Sequence, residues 1–247
     1  VLHDCDAEII PIEPDAGNAA AGIASTIVMV CEAVSIPYRL FKYANRGTSA
    51  NDNSMRYLCV LTIAGSDSCG GAGVQADIKT MSALGVYAAS AITSVTVQNT
   101  LGVKAIQAIE PAIVAGQIKA VMDDVKPVAI KIGMVNDCAT IHAIADSLSS
   151  YSPSTLVVDP VMTSTSGSML MQRDALEVFC SELLPMATLL TPNIPEAEVL
   201  SKTEIHTVDD MDVAAKRILA MGCKAVLIKG GHLEGNKKID KLYLNDG

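Results

Sequence analysis

Tryptophan is absent from this 247-residue sequence, and the aromatic complement is two phenylalanines and six tyrosines. With half of the residues apolar, a core has to be assembled from Ala, Val, Ile, Leu and Met. Basic runs are missing apart from Lys237-Lys238, and the formal net charge is −9. That balance excludes the basic stripe of a nucleic-acid footprint. It leaves room for anionic small ligands, because backbone N–H groups or a bound cation can supply positive potential. There is no C-x-x-C and no paired Cys/His spacing. The seven cysteines are odd in number and scattered, which fits reduced, mostly buried thiols better than a disulfide framework or a zinc site. Residues 16–31, the longest early run without charge, are too few and too rich in Ala and Gly for a membrane span. Asp4, Asp6 and Glu8 stand where a signal peptide would carry basic residues. A cytoplasmic protein with neither nucleic-acid nor membrane partners is expected.

What is present falls into two unequal parts. Residues 1–54 are a patchwork that ends in the polar segment NRGTSANDNS at 45–54, which has the composition of a joint. No fold is assigned to this extension. From residue 55 the pattern becomes regular. Strand-like runs at 58–64, 89–97, 129–134, 155–162, 188–191 and 224–229 alternate with helical faces such as Val74/Ile78/Met81/Leu84, Val114/Ile118/Val121, Ile141/Ile144/Leu148 and Leu176/Phe179/Leu183. Gly85 closes the first of these as a C-cap signal. Nearly continuous apolar strands alternating with helices predict an α/β fold, a mostly parallel sheet with helices on both faces. Residues 239–244 read as a further strand. Asn245-Asp246-Gly247 then forms a hairpin-turn signal with no return strand after it, so the architecture is expected to lack its last elements.

In such a sheet, ligands bind beyond the carboxyl ends of the strands. The first strand end is the glycine-rich stretch AGSDSCGGAGVQAD at 64–77. Its spacing matches neither the dinucleotide fingerprint nor a Walker A loop. Either it is a tight strand–helix turn or it lets a ligand approach the backbone. Asp77, early in the following helix, either favours the helix dipole or faces the ligand. Gln98 ends a long apolar strand, and its carboxamide either pairs with neighbouring backbone or suits an aminopyrimidine edge. Asp159 ends Leu156-Val157-Val158, where a carboxylate either caps a turn or serves Mg²⁺ on a nucleotide phosphate. In TPNIPEAE at 191–198, Asn193 and Glu196 are either oxygen ligands or the residues of a helix N-terminus, and Glu198 is expected to face solvent. Lys229-Gly230-Gly231 is either a structural turn or a phosphate contact. Cys69 and His232 are expected to be incidental loop residues.

Together the segments VLTIAGSDSCGGAGVQADIKT, SVTVQNT, KIGMV, VVDPVM, TPNIPEAE and LIKGGH, in this order over residues 55–247, resemble the hydroxymethylpyrimidine/phosphomethylpyrimidine kinases of thiamine biosynthesis. Residues 1–54 lie outside the resemblance; within them, GIASTIV at 22–28 faintly resembles a motif of threonylcarbamoyl-adenylate synthases. The kinase resemblance implies a ribokinase-like three-layer sandwich. It also implies ATP- and Mg²⁺-dependent phosphorylation of 4-amino-5-hydroxymethyl-2-methylpyrimidine and then of its monophosphate, with a pyridoxal-type kinase or a non-catalytic pyrimidine-binding protein as alternatives. It assigns Gly65, Asp77, Gln98 and Met134 to the pyrimidine, Asn193, Lys229, Gly230 and Gly231 to the nucleotide, and Asp159 and Glu196 to the metal. A homodimer is expected on the same ground. Catalytic residues are not assigned, because the family's Gly-Thr-Gly-Cys anion-hole segment does not occur in these residues. Losing even one such preorganised donor costs about 2.7–4 kcal/mol of transition-state stabilisation, so the chain as written is expected to be a poor catalyst.

Overall fold

A computed structural model of the chain describes residues 8–11, 58–163, 169–232 and 238–245. The polar joint at 45–54, the uncharged run at 16–31, the GIASTIV segment at 22–28 and the turn residues Asp246 and Gly247 lie outside the described residues. Among those described, no helix is long and apolar enough to cross a membrane.

In chain order the strands are β1 (Glu8–Pro11), β2 (Cys59–Asp67), β3 (Tyr87–Asn99), β4 (Gly102–Ala108), β5 (Ala129–Ile132), β6 (Leu156–Val158), β7 (Leu189–Leu190), β8 (Ala225–Ile228) and β9 (Ile239–Leu244). They form one sheet in the order β1-β9-β8-β7-β6-β5-β2-β3-β4. The six inner strands from β8 to β3 run parallel. Antiparallel pairs close both edges, β3 with β4 on one side and β8, β9 and β1 on the other. The strands expected from the apolar runs are all present. Two were not foreseen. β4 has no buried residue, so it lacks the periodicity that marks a strand. β1 is a four-residue edge strand whose pairing partner lies more than 200 residues away, and pairing at that distance leaves no local signal.

The helices are α1 (Gly73–Ala83), α2 (Pro111–Asp124), α3 (Cys138–Ser149), α4 (Ala175–Val178), α5 (Ile194–Ser201) and α6 (Val208–Leu219). On one face of the sheet, Leu156 and Val158 of β6 join the main core with Ile118 of α2, Ile141 and Ile144 of α3, Ala197 of α5 and Ile218 of α6. Val157, pointing the other way, belongs to a second cluster with Leu189, Ala225, Leu227 and Leu242. α1 packs on β2 and β3, and its Val74, Ala76 and Met81 are buried outside the main core. Among the described residues α1 therefore covers the β2–β3 part of the second face, and the second cluster consists of strand residues. Each fully buried Leu or Ile contributes about 1.5–3 kcal/mol by leaving water, which is how a chain without tryptophan holds its core. Leu84 departs from the expected apolar face: it is the C-cap of α1 and is exposed, with Gly85 following at φ 75°.

Candidate active site

β2 ends in a loop that Asp67 organises from within. Its carboxylate accepts from the N–H groups of Cys69 (2.8 Å), Gly71 (2.9 Å) and Ala72 (2.9 Å). The Gln75 carboxamide bridges back, accepting from the Asp67 N–H and donating to the Ser66 hydroxyl. Gly73 has φ 57°, and a Cβ there would lie 2.2 Å from the Gly65 carbonyl oxygen, so glycine is required. The glycine-rich stretch thus satisfies its own donors with a carboxylate of the chain.

Beside this loop is a cavity of about 200 Å³, smaller than the roughly 300–1,000 Å³ of sites for drug-sized ligands. It suits a single ring. Gly65, Gln98, Met134, Lys131 and Asp159 line it, together with Thr96 and Gly133. Gly65 leaves space that a side chain would take, since a Cβ would sit 2.4 Å from the Met134 methyl carbon. Gln98 follows a β-bulge in the β3–β4 ladder, where pairing jumps between Val97 and Gln98; bulges of this kind re-aim side chains next to sites. Its carboxamide oxygen accepts from Thr96 Oγ1 at 3.2 Å. Its backbone N–H and C=O both bond the Ser68 hydroxyl, which ties the loop to the strand end.

Asp77 is fully buried and lies behind the cavity wall. Thr62 Oγ1 donates to it at 2.6 Å, and Lys131 Nζ lies 3.0 and 2.9 Å from its two oxygens. It does not line the cavity, whereas its partner Lys131 does. That lysine was not singled out from the sequence, although a lysine between Ile130 and Ile132 in an otherwise apolar strand is a usable signal.

The remaining candidates gather around the far side of Asp159. Lys229 Nζ lies 2.9 Å from Asp159 Oδ1, and the Thr191 hydroxyl donates to the same oxygen. Burial pushes the Asp159 carboxyl up, but the charges of Lys229 and Lys131 outweigh it and hold the pKa below the usual range. For Lys229, burial acts downward and the Asp159 and Glu196 charges outweigh it, raising its pKa. Glu196 is pushed up to about 7, first by burial and then by the charge of Asp159. It also forms a capping box with Asn193: Asn193 N–H donates to Glu196 Oε2 (2.8 Å) and Glu196 N–H to Asn193 Oδ1 (2.9 Å). The N–H of Gly230 donates to Asp240 Oδ1 at 2.9 Å, while Gly231 has open space where a Cβ would go. Asn193, Glu196, Lys229, Gly230 and Gly231 do not line the 200 Å³ cavity; Asp159 joins the two regions. Glu198, expected to face solvent, instead accepts the N–H of Ile205 at 2.7 Å. Cys69 is exposed and unbridged, one of five free cysteines among the described residues.

The family model for phosphomethylpyrimidine kinase matches residues 67–247. A hydroxymethylpyrimidine/phosphomethylpyrimidine kinase of Rhizobium meliloti is 48% identical over 188 residues, covering 75% of this chain and 70% of the relative. The thiamine biosynthesis bifunctional protein ThiED of Geobacter sulfurreducens is 40% identical over 242 residues; the match takes in 95% of this chain, which spans about half (49%) of that relative's length. Among solved structures, the phosphomethylpyrimidine kinase of Clostridium difficile superposes with a TM-score of 0.70 at 48% identity, covering 77% of this chain and 85% of that one. A pyridoxal kinase of Staphylococcus aureus, in complex with AMP-PCP and pyridoxal, has a TM-score of 0.69 at 32% identity over 77% of this chain and 69% of its own.

Proposed function

This chain belongs to the phosphomethylpyrimidine kinase family, and from that membership we propose that it forms the cleft of an ATP-dependent kinase acting on 4-amino-5-hydroxymethyl-2-methylpyrimidine and its monophosphate in thiamine biosynthesis. The observation that carries this is the small cavity in which Gly65, Gln98 and Met134 meet beside Asp159. The Gln98 carboxamide offers a donor and an acceptor in one plane for the aminopyrimidine edge. Gly65 and Met134 give the ring an apolar seat. In the proposed reaction the γ-phosphoryl group of ATP passes to the hydroxymethyl oxygen of the alcohol, with release of ADP and the hydroxyl proton, or to a phosphate oxygen of the monophosphate, with release of ADP. Positioning and charge neutralisation dominate such transfers.

ATP as donor is supported by the AMP-PCP bound in the Staphylococcus aureus pyridoxal kinase. In this chain the nucleotide side is Asn193, Lys229, Gly230 and Gly231. Asp159 and Glu196 fit a hydrated Mg²⁺: two carboxylates close enough for one charge to raise the other's pKa are relieved by a dication that keeps its waters and takes only one or two carboxylates. When bound, that cation supplies charge neutralisation on the phosphates. Lys229 holds its ammonium at Asp159, on the side where negative charge must be balanced. Residues 55–247 constitute the kinase domain in this proposal and residues 1–54 an extension. A cytoplasmic location and a homodimer belong to the same proposal.

Pyridoxal is the second substrate to consider, because the Staphylococcus aureus neighbour is in complex with it. Calorimetric titration of the full chain with each alcohol separates the two. The pyrimidine is expected to bind at least about tenfold more tightly than pyridoxal, and Gln98→Ala to weaken it by about tenfold, the loss of one or two buried hydrogen bonds. Tighter binding of pyridoxal, or undiminished pyrimidine binding by Gln98→Ala, contradicts the proposal.

A further inference from the structure

Three charged side chains line the cavity among the described residues: Asp67, Asp159 and Lys131. The two carboxylates are engaged, Asp67 by three N–H groups of its own loop and Asp159 by Lys229 and Thr191. Lys131 is therefore the one cation on the cavity wall among those residues. Its side chain is 12% exposed, and its ion-pair partner Asp77 is fully buried and does not line the cavity. The pair is braced further by Thr62, whose hydroxyl donates to the same carboxylate. Gly133, two residues along the chain, keeps the ammonium in place by having no side chain. A Cβ there would lie 3.0 Å from Lys131 Nζ and 3.0 Å from the Ala64 methyl.

We propose that Lys131 is the residue that lets this cavity accept a phosphorylated substrate as well as a neutral one, its ammonium meeting the phosphate of the pyrimidine monophosphate while Asp77 positions it. The inference rests on the pyrimidine-kinase proposal above and adds to it the group that discriminates between the two substrates. A phosphomonoester brings negative charge into a cavity whose two carboxylates already have partners, and Lys131 is the cation on the wall that can meet it. An ammonium has three donors. Those not directed at Asp77 are available to phosphate oxygens, and a charge-assisted bond of this kind is about twice as strong as a neutral one. A neutral hydroxymethyl group makes no comparable demand, so the lysine separates the two ligands by charge.

The test is calorimetric titration of the full-length chain with the pyrimidine alcohol and, separately, with its monophosphate. Lys131→Met is expected to weaken the monophosphate by about 10- to 100-fold, the range that hydrogen bonds to charged groups support, and the alcohol by less than about threefold. Lys131→Arg should restore most of the monophosphate affinity. Because Lys131→Met leaves Asp77 buried without its partner, the double variant Asp77→Asn/Lys131→Met is titrated in parallel. It removes both charges and keeps an acceptor for Thr62, and it should show the same selective loss. Equal weakening of both ligands, monophosphate binding that survives in both variants, or a wild-type chain that binds only the alcohol overturns the role of Lys131. A wild-type chain that binds neither ligand contradicts the pyrimidine-kinase proposal itself, and this inference falls with it.

Discussion

At the end of β2 the glycine-rich loop wraps around the Asp67 carboxylate, which takes the N–H groups of Cys69, Gly71 and Ala72. At the end of β8 the N–H of Gly230 donates to Asp240, while Gly231 faces open space. Both turns follow parallel strands, and both look in sequence like places where backbone donors could hold an anion. In the structure the first turn is saturated by the chain's own carboxylate and shapes a cavity wall. The second gives the Gly230 N–H to Asp240, has room for a Cβ at Gly231, and stands beside the Lys229–Asp159 pair. Glycine content alone does not distinguish a wall from an anion cradle. What differs is how many donors a carboxylate of the chain takes, three at Asp67 and one, that of Gly230, at Asp240.

The sharpest way to break this comparison is to add one methyl group at each turn. Gly73→Ala and Gly230→Ala should each cost about 3 kcal/mol or more in urea unfolding, because the added carbon meets a backbone carbonyl oxygen that cannot rotate away. Those contacts would be 2.2 Å to Gly65 and 1.9 Å to Ile239. Gly71→Ala and Gly231→Ala meet nothing closer than 3.9 Å and should stay within about 0.5 kcal/mol of wild type. Equal stability across all four variants would contradict the distinction between required and incidental glycines.

A smaller effect sharpens the other side of the comparison, the carboxylates around Asp159. Glu196 titrates at about 7 in the folded protein against an ordinary 4.5. Its charged form is therefore disfavoured by folding. The stability this group contributes is fully present below pH 4.5 and is lost as pH rises through 7, by about 3 kcal/mol on complete ionisation. Glu196→Gln keeps the bond from the Asn193 N–H and removes the charge. The variant should be more stable than wild type at pH 8 by about 3 kcal/mol and nearly equal to it at pH 4.5, measured by thermal unfolding. An advantage of the same size at both pH values would contradict the assignment of the shift to Glu196.

Much of the fold was legible because burial leaves a periodic mark. The inner strands are apolar along their length, as in β6 and β8, where every residue is buried. β4 was missed because none of its residues is buried. At the site, Gly65, Gln98, Met134 and Asp159, picked out by their positions at strand ends, line one cavity, since strand ends are the location topology makes predictable. Asp77 was found but not its partner. Lys131 lies 54 positions away, and their 2.9 Å contact comes from packing α1 against the sheet. The self-capping of Asp67 was equally hidden, since an aspartate in a glycine-rich loop has the same identity whether it binds a ligand or its own backbone.

The central claim is that the cavity beside the glycine loop is the pyrimidine seat and that the nucleotide side lies beyond Asp159. A crystal structure of the full chain soaked with 4-amino-5-hydroxymethyl-2-methylpyrimidine tests it most directly. The account predicts ring density between Gly65 and Met134, with its amino edge on the Gln98 carboxamide. Density beside Lys229 and Gly230, with the Gln98 cavity empty, would contradict it.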